Sequence, residues 1–265
     1  MLSYPSTISL STDTLNHLTH LVRAHRRAIG SHWRVLSCRN QALLVLAHLR
    51  NGDTYARLAA GFGIGIATVY RYIRETVDLL AARAPTLTAA LWRLAWTFHN
   101  YAILDGTVIR TDRLAADRPF YSGKHRHHGI NLQELTDPAG NLLWISDGLP
   151  GAVNDTAAAR AHNIPDTCAQ ADILLLADSG YIGVADAADG VITPYKNARN
   201  KHSPTRSLSP GKKAANTALS ATRAPGERGF ATLKNWHILH RVRACPYRVG
   251  TLAKAVLTLE HSLGQ

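Results

Sequence analysis

The chain has 265 residues, 46% of them hydrophobic, which allows one large domain or two smaller ones with packed cores. Lysine and arginine total 30 against 18 acidic residues, so the formal charge is +12. This balance favours a polyanionic partner, nucleic acid above all, although a basic charge that only aids solubility is the alternative.

The cysteines and the apolar runs argue against two broad classes of protein. Cys38, Cys168 and Cys245 lie far apart and form no CxxC pair, so neither a disulfide framework nor a zinc knuckle is indicated. No basic segment followed by an apolar run opens the chain, and the longest apolar stretches are too short to span a bilayer. We therefore expect an unprocessed cytoplasmic protein that does not enter a membrane.

Apolar residues recur at helical spacing from Cys38 to Pro85. Gly52 closes one segment and Pro85 ends another, as glycine and proline do at the ends of helices. This pattern predicts an all-helical block in the N-terminal part of the chain.

Within that block, the stretch from Thr54 to Thr76 has the spacing of a helix-turn-helix. Gly63 lies where a tight turn needs a flexible backbone, and a second helix is expected from Ala67 to Val77. Gly65 stands where a serine often caps such a second helix. A helical hairpin used only for packing is the alternative interpretation.

The second helix of this pair would bury one face and expose the other. Its buried residues would be Val69, Tyr72 and Ile73, and its exposed ones Thr68, Tyr70, Arg71 and Arg74. Small polar, aromatic and arginine side chains suit a DNA major groove, where arginine reads guanine edges or binds phosphate. We expect the exposed residues to contact DNA.

After Trp96 the pattern changes to short apolar runs separated by turn signals. The stretch "TDPAGN", from Thr136 to Asn141, predicts a hairpin turn, so the sheet should begin antiparallel. Helix formers follow in "VNDTAAARAHNI". We expect an α/β domain in which helices flank a mixed sheet.

The segment between Asp189 and Glu227 contains no acidic residue. Its basic residues are Lys196, Arg199, Lys201, Arg206, Lys212, Lys213 and Arg223. The Ser, Pro, Asn and Gly content of "NARNKHSPTRSLSPGKKAANT" predicts a loop or weakly ordered arm. We expect Lys212 and Lys213 to contact DNA phosphates, a solvated surface loop being the alternative.

One carboxylate lies at the centre of a predicted buried strand, Asp105 in "YAILDGTVIRTD". An unpaired charge in apolar surroundings is costly, so Asp105 needs a partner. Asp178 follows another apolar strand in "ILLLADSGYIG", and Glu227 falls in the first turn of a predicted helix after Pro225. Three such carboxylates can hold two Mg²⁺ or Mn²⁺ ions about 3.5 to 4 Å apart and so catalyse phosphodiester chemistry.

Each of these carboxylates also has a structural interpretation. Asp105 could cap the "DGT" turn, Asp178 could be a loop aspartate, and Glu227 could pair with Arg223 on a helix surface. Asp155 in "PGAVNDTAAAR" is a possible auxiliary carboxylate, and a helix N-cap is an equal alternative for it.

Several basic residues near these carboxylates are expected to face DNA rather than a metal. His125, His127 and His128 in "GKHRHHGINLQ" lack a carboxylate or cysteine at ligand spacing. We therefore expect a basic strand there, with Lys124 contacting DNA. Arg228 and Lys234 flank Glu227 and are expected to do the same.

In order along the chain, these motifs resemble those of DDE transposases of bacterial insertion sequences, in the group of insertion-sequence family five and the Harbinger-like elements. The resemblance rests on the segments "TYARLAAGFGIGIATVYRYI", "LDGTVIR", "SGKHRHHGINLQ", "DGLPGAVND", "LLADSGYIG" and "ERGFATLKNW". Two positions depart from the family pattern. Gly226 stands where the family has an apolar residue, and Asn154 stands where it often has histidine.

The resemblance implies a ribonuclease-H-like catalytic domain, here residues 91–265, preceded by an all-α helix-turn-helix domain, residues 1–90. It places the DDE triad on Asp105, Asp178 and Glu227, with two Mg²⁺ or Mn²⁺ ions as cofactors. The implied activity is cleavage at the ends of the element followed by strand transfer to target DNA.

The implied partner is double-stranded DNA, both the element's terminal repeats and the target. We expect a homo-oligomer on DNA, located at the bacterial nucleoid. The alternatives are a transposase-derived DNA-binding protein that has lost catalysis, and a metal-dependent nuclease without strand transfer.

Overall fold

The structure is a computed structural model that describes residues 8–31, 33–112, 118–186, 188–196, 208–243 and 245–263. The helices in these ranges are α1 Thr12–Ala28, α2 Cys38–Asn51, α3 Tyr55–Phe62, α4 Ile66–Ala81, α5 Leu87–Trp96, α6 Asp155–Ala161, α7 Ile164–Gln170, α8 Ile182–Ala185, α9 Pro210–Arg223, α10 Glu227–Lys234 and α11 Val249–Leu263. The strands are β1 Tyr101–Arg110, β2 Tyr121–Ser122, β3 His127–Thr136, β4 Leu142–Ile145, β5 Leu149–Pro150, β6 Leu174–Leu176 and β7 Val191–Ile192.

The chain divides into two compact units. One combines Met1–Ala84 with Leu233–Gln265, and the other is Pro85–Thr232. The C-terminal helix α11 thus belongs to the same unit as the N-terminal helices. The predicted functional division at residue 90 remains a prediction, because compactness does not test which residues bind DNA.

Local sequence signals determine where the helices of the first unit begin and end. Ser37 caps α2 by accepting a hydrogen bond from the amide of Asn40 at 3.2 Å, and Thr54 caps α3 by accepting one from Arg57 at 3.3 Å. Gly63, in the left-handed conformation with φ 64°, ends α3 and allows the turn into α4. α11 packs against α4 and closes the core of this unit.

The second unit is built on a mixed sheet with strand order β2-β3-β1-β6-β7. β1 pairs antiparallel with β3, whereas β6 pairs in parallel with both β1 and β7. The predicted hairpin joins β3 to β4, and Asp137 Oδ1 holds its turn by accepting from the amides of Ala139 and Asn141. A helical region followed by a mixed sheet with flanking helices is the architecture expected, and it is consistent with a ribonuclease-H-like domain.

The prediction of a loop or weakly ordered arm after β7 is wrong for residues 210–223. Residues 197–207 lie outside the described part of the chain, and with them Arg199, Lys201 and Arg206, but Pro210–Arg223 forms the helix α9. Ser209 caps this helix, Pro210 fits its first turn, and alanines follow. These local signals prevail over the basic, polar composition that predicts a loop.

Within the described ranges, no helix is both long enough and apolar enough to cross a membrane.

Candidate active site

Two of the predicted carboxylates lie side by side because their strands are parallel neighbours. Ile103 of β1 is in register with Leu176 of β6. Asp105 and Asp178 each come two residues later, at the same end of the sheet. The apolar runs of the two strands thus deliver both carboxylates to one place.

The surroundings of Asp105 disfavour its charge. Burial raises the pKa of Asp105, and the neighbouring carboxylates Asp178 and Asp155 raise it further. A hydrogen bond of 2.9 Å from the amide of Gly106 to Asp105 Oδ1 acts in the opposite direction, as does the guanidinium of Arg223. Asp105 is therefore a carboxylate in need of a further cation.

Asp155 joins this group and does not cap its helix. The N-cap of α6 is Asn154, whose Oδ1 accepts from the amide of Ala157 at 2.8 Å, so the predicted capping alternative for Asp155 is wrong. Asp155 Oδ1 instead accepts from Asn131 Nδ2, and its Oδ2 accepts from Lys124 Nζ, both at 3.1 Å. The side chain is thereby aimed at the end of the sheet.

Asp178 and Asp155 meet beside Gly180. A Cβ placed on Gly180 would lie 2.9 Å from Asp178 Oδ1 and 3.3 Å from Asp155 Oδ2. Asp178 Oδ1 also accepts a hydrogen bond from the amide of Gly180 at 2.7 Å. Asp178 therefore also acts as a loop aspartate, the structural alternative given above. The two carboxylates nevertheless approach the same point.

A buried polar network supports Asp155 from behind. Asn131 holds Asp155, Gln133 Nε2 donates to Asn131 Oδ1 at 2.7 Å, and the Tyr181 hydroxyl donates to Gln133 Oε1 at 2.5 Å. Burial and the three aspartates together raise the pKa of Tyr181 well above its usual value, which keeps this donor protonated. The sequence pattern assigns these three residues no role, although the alternating Asn131 and Gln133 in "INLQEL" are a signal of a polar position within a buried strand.

Gly106 makes room for this arrangement. A Cβ at position 106 would lie 2.7 Å from both Asp155 Oδ1 and the Tyr181 hydroxyl, and 2.8 Å from Gln133 Nε2. Real Cβ atoms do not approach other atoms that closely. Glycine after Asp105 is therefore required by the site. The predicted "DGT" turn is wrong, because β1 continues through these residues and pairs with β3 there.

Lys124 lies at the mouth of the carboxylate group. Its hydrogen bond to Asp155 and the charges of Asp155, Asp178 and Asp105 all raise the pKa of its ammonium group. Its side chain is 65% exposed, so the ion pair is accessible to solvent and easily exchanged. The three aspartates thus stabilise the positive charge of Lys124.

Glu227, the third predicted ligand, begins α10 on the face of β1 that carries Asp105. A Cβ at Gly226 would lie 2.6 Å from Ile103 Cγ2, and Ile103 is two residues before Asp105 on the same face. A Cβ at Gly229 would lie 2.5 Å from Oε1 of Glu134, the residue paired with Asp105. The first turn of α10 therefore crosses the sheet at the level of Asp105.

The side chain of Glu227 itself is exposed. Within the described part of the chain it makes no ion pair with Arg223, so the predicted surface pair is not formed. Arg223 acts instead on Asp105, whose pKa it lowers. Glu227 is not among the charges that shift the pKa of Asp105.

Both departures from the family pattern have a local explanation. The contact with Ile103 leaves no room for a side chain at Gly226. Asn154 serves as a helix cap, a role for which asparagine is among the preferred residues.

The other predicted DNA-contacting residues near the carboxylates lie at the surface. Arg228 donates from Nη1 to the carbonyl of Ala139 at 3.3 Å, and Lys234 is exposed at the end of α10. Lys212 and Lys213 occupy the first turn of α9, where the Lys212 ammonium lies 5.1 Å from the ring centre of Tyr195. Their contacts with DNA stay predictions.

The helix-turn-helix geometry follows the sequence pattern. The turn at Gly63 joins α3 to α4. The side chains predicted to be buried are so, namely Val69, Tyr72 and Ile73. Tyr70, Arg71 and Arg74 are exposed, and Thr68 is half-buried. Arg71 donates to the Thr68 hydroxyl at 3.2 Å and Arg74 to that of Tyr70 at 2.9 Å, so the four side chains form one polar face.

The carboxylate group fits a hard divalent cation by its chemistry. It offers only oxygen donors, its charges are incompletely compensated, and it already draws in an ammonium group. As the side chains stand, no three His, Cys, Asp or Glu residues of the described ranges are grouped closely enough to hold an ion.

Comparison with known families agrees with both parts of the structure. A family described as DDE superfamily endonuclease matches residues 104–260, and the helix-turn-helix of DDE superfamily endonuclease matches residues 34–86. The first match covers more than half of the chain, and the chain belongs to the DDE superfamily endonucleases. No curated protein and no solved structure matches it.

Proposed function

We propose that this protein is the transposase of a bacterial insertion sequence, of the family-five and Harbinger-like group. The observation that carries the proposal is the convergence of Asp105, Asp155 and Asp178 on one end of the sheet, around the ammonium of Lys124. A structural protein gains nothing from assembling three carboxylates, one of which has its pKa raised by burial and further by the other two. A metal-dependent phosphodiester enzyme needs such a group.

In this proposal Asp105, Asp178 and Glu227 hold two Mg²⁺ or Mn²⁺ ions, with Asp155 as an auxiliary carboxylate. The ions would supply the charge that activates a water or 3′-hydroxyl and stabilises the leaving oxygen. Arg223 partly neutralises Asp105, and Asn131 orients Asp155. Lys124 gives up its contact with Asp155 easily, because its side chain is largely in solvent.

The helix-turn-helix would recognise the element's terminal repeats, with α4 in the major groove. Thr68, Tyr70, Arg71 and Arg74 form the polar face that would meet base edges and phosphates. Basic residues outside α4, among them Lys212, Lys213, Arg228 and Lys234, would contact the backbone. A homo-oligomer acting on two element ends at the bacterial nucleoid completes the proposal.

Two other functions share parts of this structure. A nuclease without strand transfer would use the same carboxylates, and family membership alone favours it as much as a transposase. A DNA-binding protein that has lost catalysis would keep α4 but would have no need to preserve Asp105 together with Gly106 and the buried network behind Asp155.

The test is an assay of cleavage and joining on duplexes that carry the element's ends, with Mg²⁺. We expect D105N, D178N and E227Q each to abolish both activities while DNA binding survives. D189N, which changes an exposed aspartate in the same unit, is the matched control and should remain active. A double variant should lose little more than a single one, because the residues act as a unit.

Three outcomes separate the candidates. Cleavage without joining by the wild type identifies a nuclease, and binding without cleavage identifies an inactive derivative. A well-folded D178N or E227Q variant that cleaves at the wild-type rate contradicts the assignment of the triad.

A further inference from the structure

A cavity of about 420 Å³ opens in the helical unit at the turn between α2 and α3. One wall is the turn itself, with Asp53, Thr54 and Tyr55. The other wall is the segment from His237 to Arg243, defined here as the return segment. It comes after the carboxylates in sequence and yet lies beside the first helix of the helix-turn-helix.

The return segment is firmly anchored. Trp236, directly before it, is fully buried, donates from Nε1 to Glu260 Oε1 at 2.5 Å, and carries the guanidinium of Arg50 at 5.5 Å from its ring centre. Gly52 adopts φ 70°, and a Cβ there would lie 3.5 Å from Cβ of His237. The segment is therefore a built part of this unit.

The cavity is electropositive. The return segment contributes Arg241 and Arg243, both exposed. The acid in the lining, Asp53, is buried and paired with Arg57 at 3.3 Å, so its charge is compensated. Burial lowers the pKa of His48, which lines the cavity as a neutral side chain. The cavity therefore suits an anion.

The cavity also adjoins the face of α4 that is predicted to read bases. The ring of Tyr55 in its lining meets the ring of Tyr70 edge-on, with the centres 6.1 Å apart. The Tyr70 hydroxyl in turn accepts from Arg74. A duplex that places its major groove on α4 brings its sugar-phosphate backbone beside that helix. The anion that this position favours is a DNA phosphate.

We propose that the return segment and the turn before α3 form a binding site for the DNA backbone, with Arg243 as its main phosphate contact. The return segment lies outside the matched helix-turn-helix, residues 34–86, whereas the turn before α3 lies within it, so recognition would depend on two separate parts of the chain. This inference rests on the proposed DNA-binding function and adds a second, sequence-independent contact to it.

The test measures binding of the full chain to a duplex of random sequence, by fluorescence anisotropy over a series of KCl concentrations. We expect R243A to weaken binding about five- to twentyfold at low salt and to lower the log–log salt slope by about one. R243K should keep most of the affinity. R93A removes the same charge from an exposed position on α5 and should leave the slope nearly unchanged. Equal melting temperatures of wild type and variants show that folding is intact.

The outcomes separate the two proposals. If the wild type binds no duplex, the DNA-binding function and this site fail together. If the wild type binds and R243A behaves like it, or R93A loses as much as R243A, only this site is rejected. Inorganic phosphate that raises the melting temperature of the wild type but not of R243A, while duplex binding stays equal, shows a free-anion site and also rejects it.

Discussion

Single glycines determine how closely α10 approaches the sheet. A Cβ at Gly229 would lie 2.5 Å from Glu134 Oε1 and 2.7 Å from Thr136 Cγ2, both on β3. Glu134 and Thr136 are buried, so neither can swing into solvent to make room. The position of Glu227, two residues earlier, depends on this approach.

We expect Gly229→Ala to destabilise the protein by about 1–3 kcal/mol, the usual cost of overpacking a core. Gly211→Ala is the control, because a Cβ there meets nothing within 4 Å and alanine favours the helix α9. It should leave stability unchanged or raise it slightly. Urea unfolding of the three proteins measures both effects, and an equal free energy of unfolding for G229A and wild type contradicts the packing argument.

We predict that the ionised carboxylate of Asp105 lowers the free energy of unfolding of the metal-free protein. Its pKa is raised above 3.8, chiefly by burial, so the folded protein holds this proton more tightly than the unfolded chain. The ionised carboxylate therefore lowers stability above the raised pKa, and the penalty disappears below 3.8. Asparagine has the same size and no charge.

In buffer with a metal chelator, Asp105→Asn should melt at a higher temperature than wild type at pH 7. The difference should shrink as the pH falls and vanish below the ordinary pKa of 3.8. Calorimetry from pH 3.5 to 7.5 follows it, with D189N as a control that should match wild type throughout. A lower melting temperature for D105N at pH 7 means that Arg223 more than compensates the buried charge.

At the scale of the element, α4 carries the predicted base contacts on one face. Its other face is buried, so the exposed side chains are free to meet DNA without disturbing the core. Among the described residues, Arg71 donates hydrogen bonds within its own helix, to the carbonyl of Ala67 and to the Thr68 hydroxyl. Its removal therefore tests recognition with little effect on folding.

We expect Arg71→Ala to weaken binding to the element's ends by about 1–3 kcal/mol, if the arginine reads a guanine, and to relax specificity at one base pair. Arg83→Ala is the control, since this exposed arginine follows α4 and donates to the carbonyl of Leu79. Competition footprinting with substituted duplexes measures both variants. A loss that is equal for all sequences assigns Arg71 to a phosphate instead.

The helix α9 is held to the second unit by a polar clamp. None of its fourteen residues is buried. Asn216 accepts a hydrogen bond from the amide of Tyr195 at 2.8 Å and donates one to the carbonyl of Tyr195 at 2.9 Å. Lys212 and Lys213 in its first turn thus belong to an ordered helix. Such a helix can present basic side chains to a phosphate backbone.

Replacing Lys212 and Lys213 by alanine should lower affinity for all duplexes alike and reduce the salt slope by about one for each lost contact. Asn216→Ala leaves the charges in place but removes the clamp. If both variants lose affinity equally, the order of α9 matters as much as its charge. A change confined to one sequence contradicts phosphate binding.

Local patterns explain why some features could be predicted and others could not. β1 and α4 follow from apolar periodicity, and the convergence of Asp105 with Asp178 follows from two apolar strands that end alike. The stretch "INLQEL" marks Asn131 and Gln133 as polar positions of a strand, but their meeting with Tyr181 behind Asp155 could not be foreseen, because it depends on long-range pairing. The helix α9 could not be predicted from apolar periodicity, since a helix without a buried face leaves no apolar stripe in the sequence.

At the scale of the whole molecule, the helical unit is discontinuous in sequence. Thr258 of α11 donates to the carbonyl of Leu80 at 3.0 Å, and Arg248 binds Asp78 at 2.6 Å. α11 also packs along α4, whose inner residues Ile73, Val77 and Leu80 are buried. The predicted DNA-binding domain, residues 1–90, therefore lacks part of its own core.

We expect a fragment of residues 1–90 to be unfolded or aggregated, because loss of α11 exposes the apolar face of α4 to water. Joining residues 233–263 to this fragment through a long glycine–serine linker should restore a cooperative thermal transition, measured by circular dichroism. The same linked protein with Val256→Asp, a charge placed at a fully buried position of α11, is the control and should stay unfolded. If the fragment of residues 1–90 melts cooperatively alone and binds duplex DNA as tightly as the linked protein does, the return segment and α11 are dispensable. The DNA-binding unit would then be continuous in sequence after all.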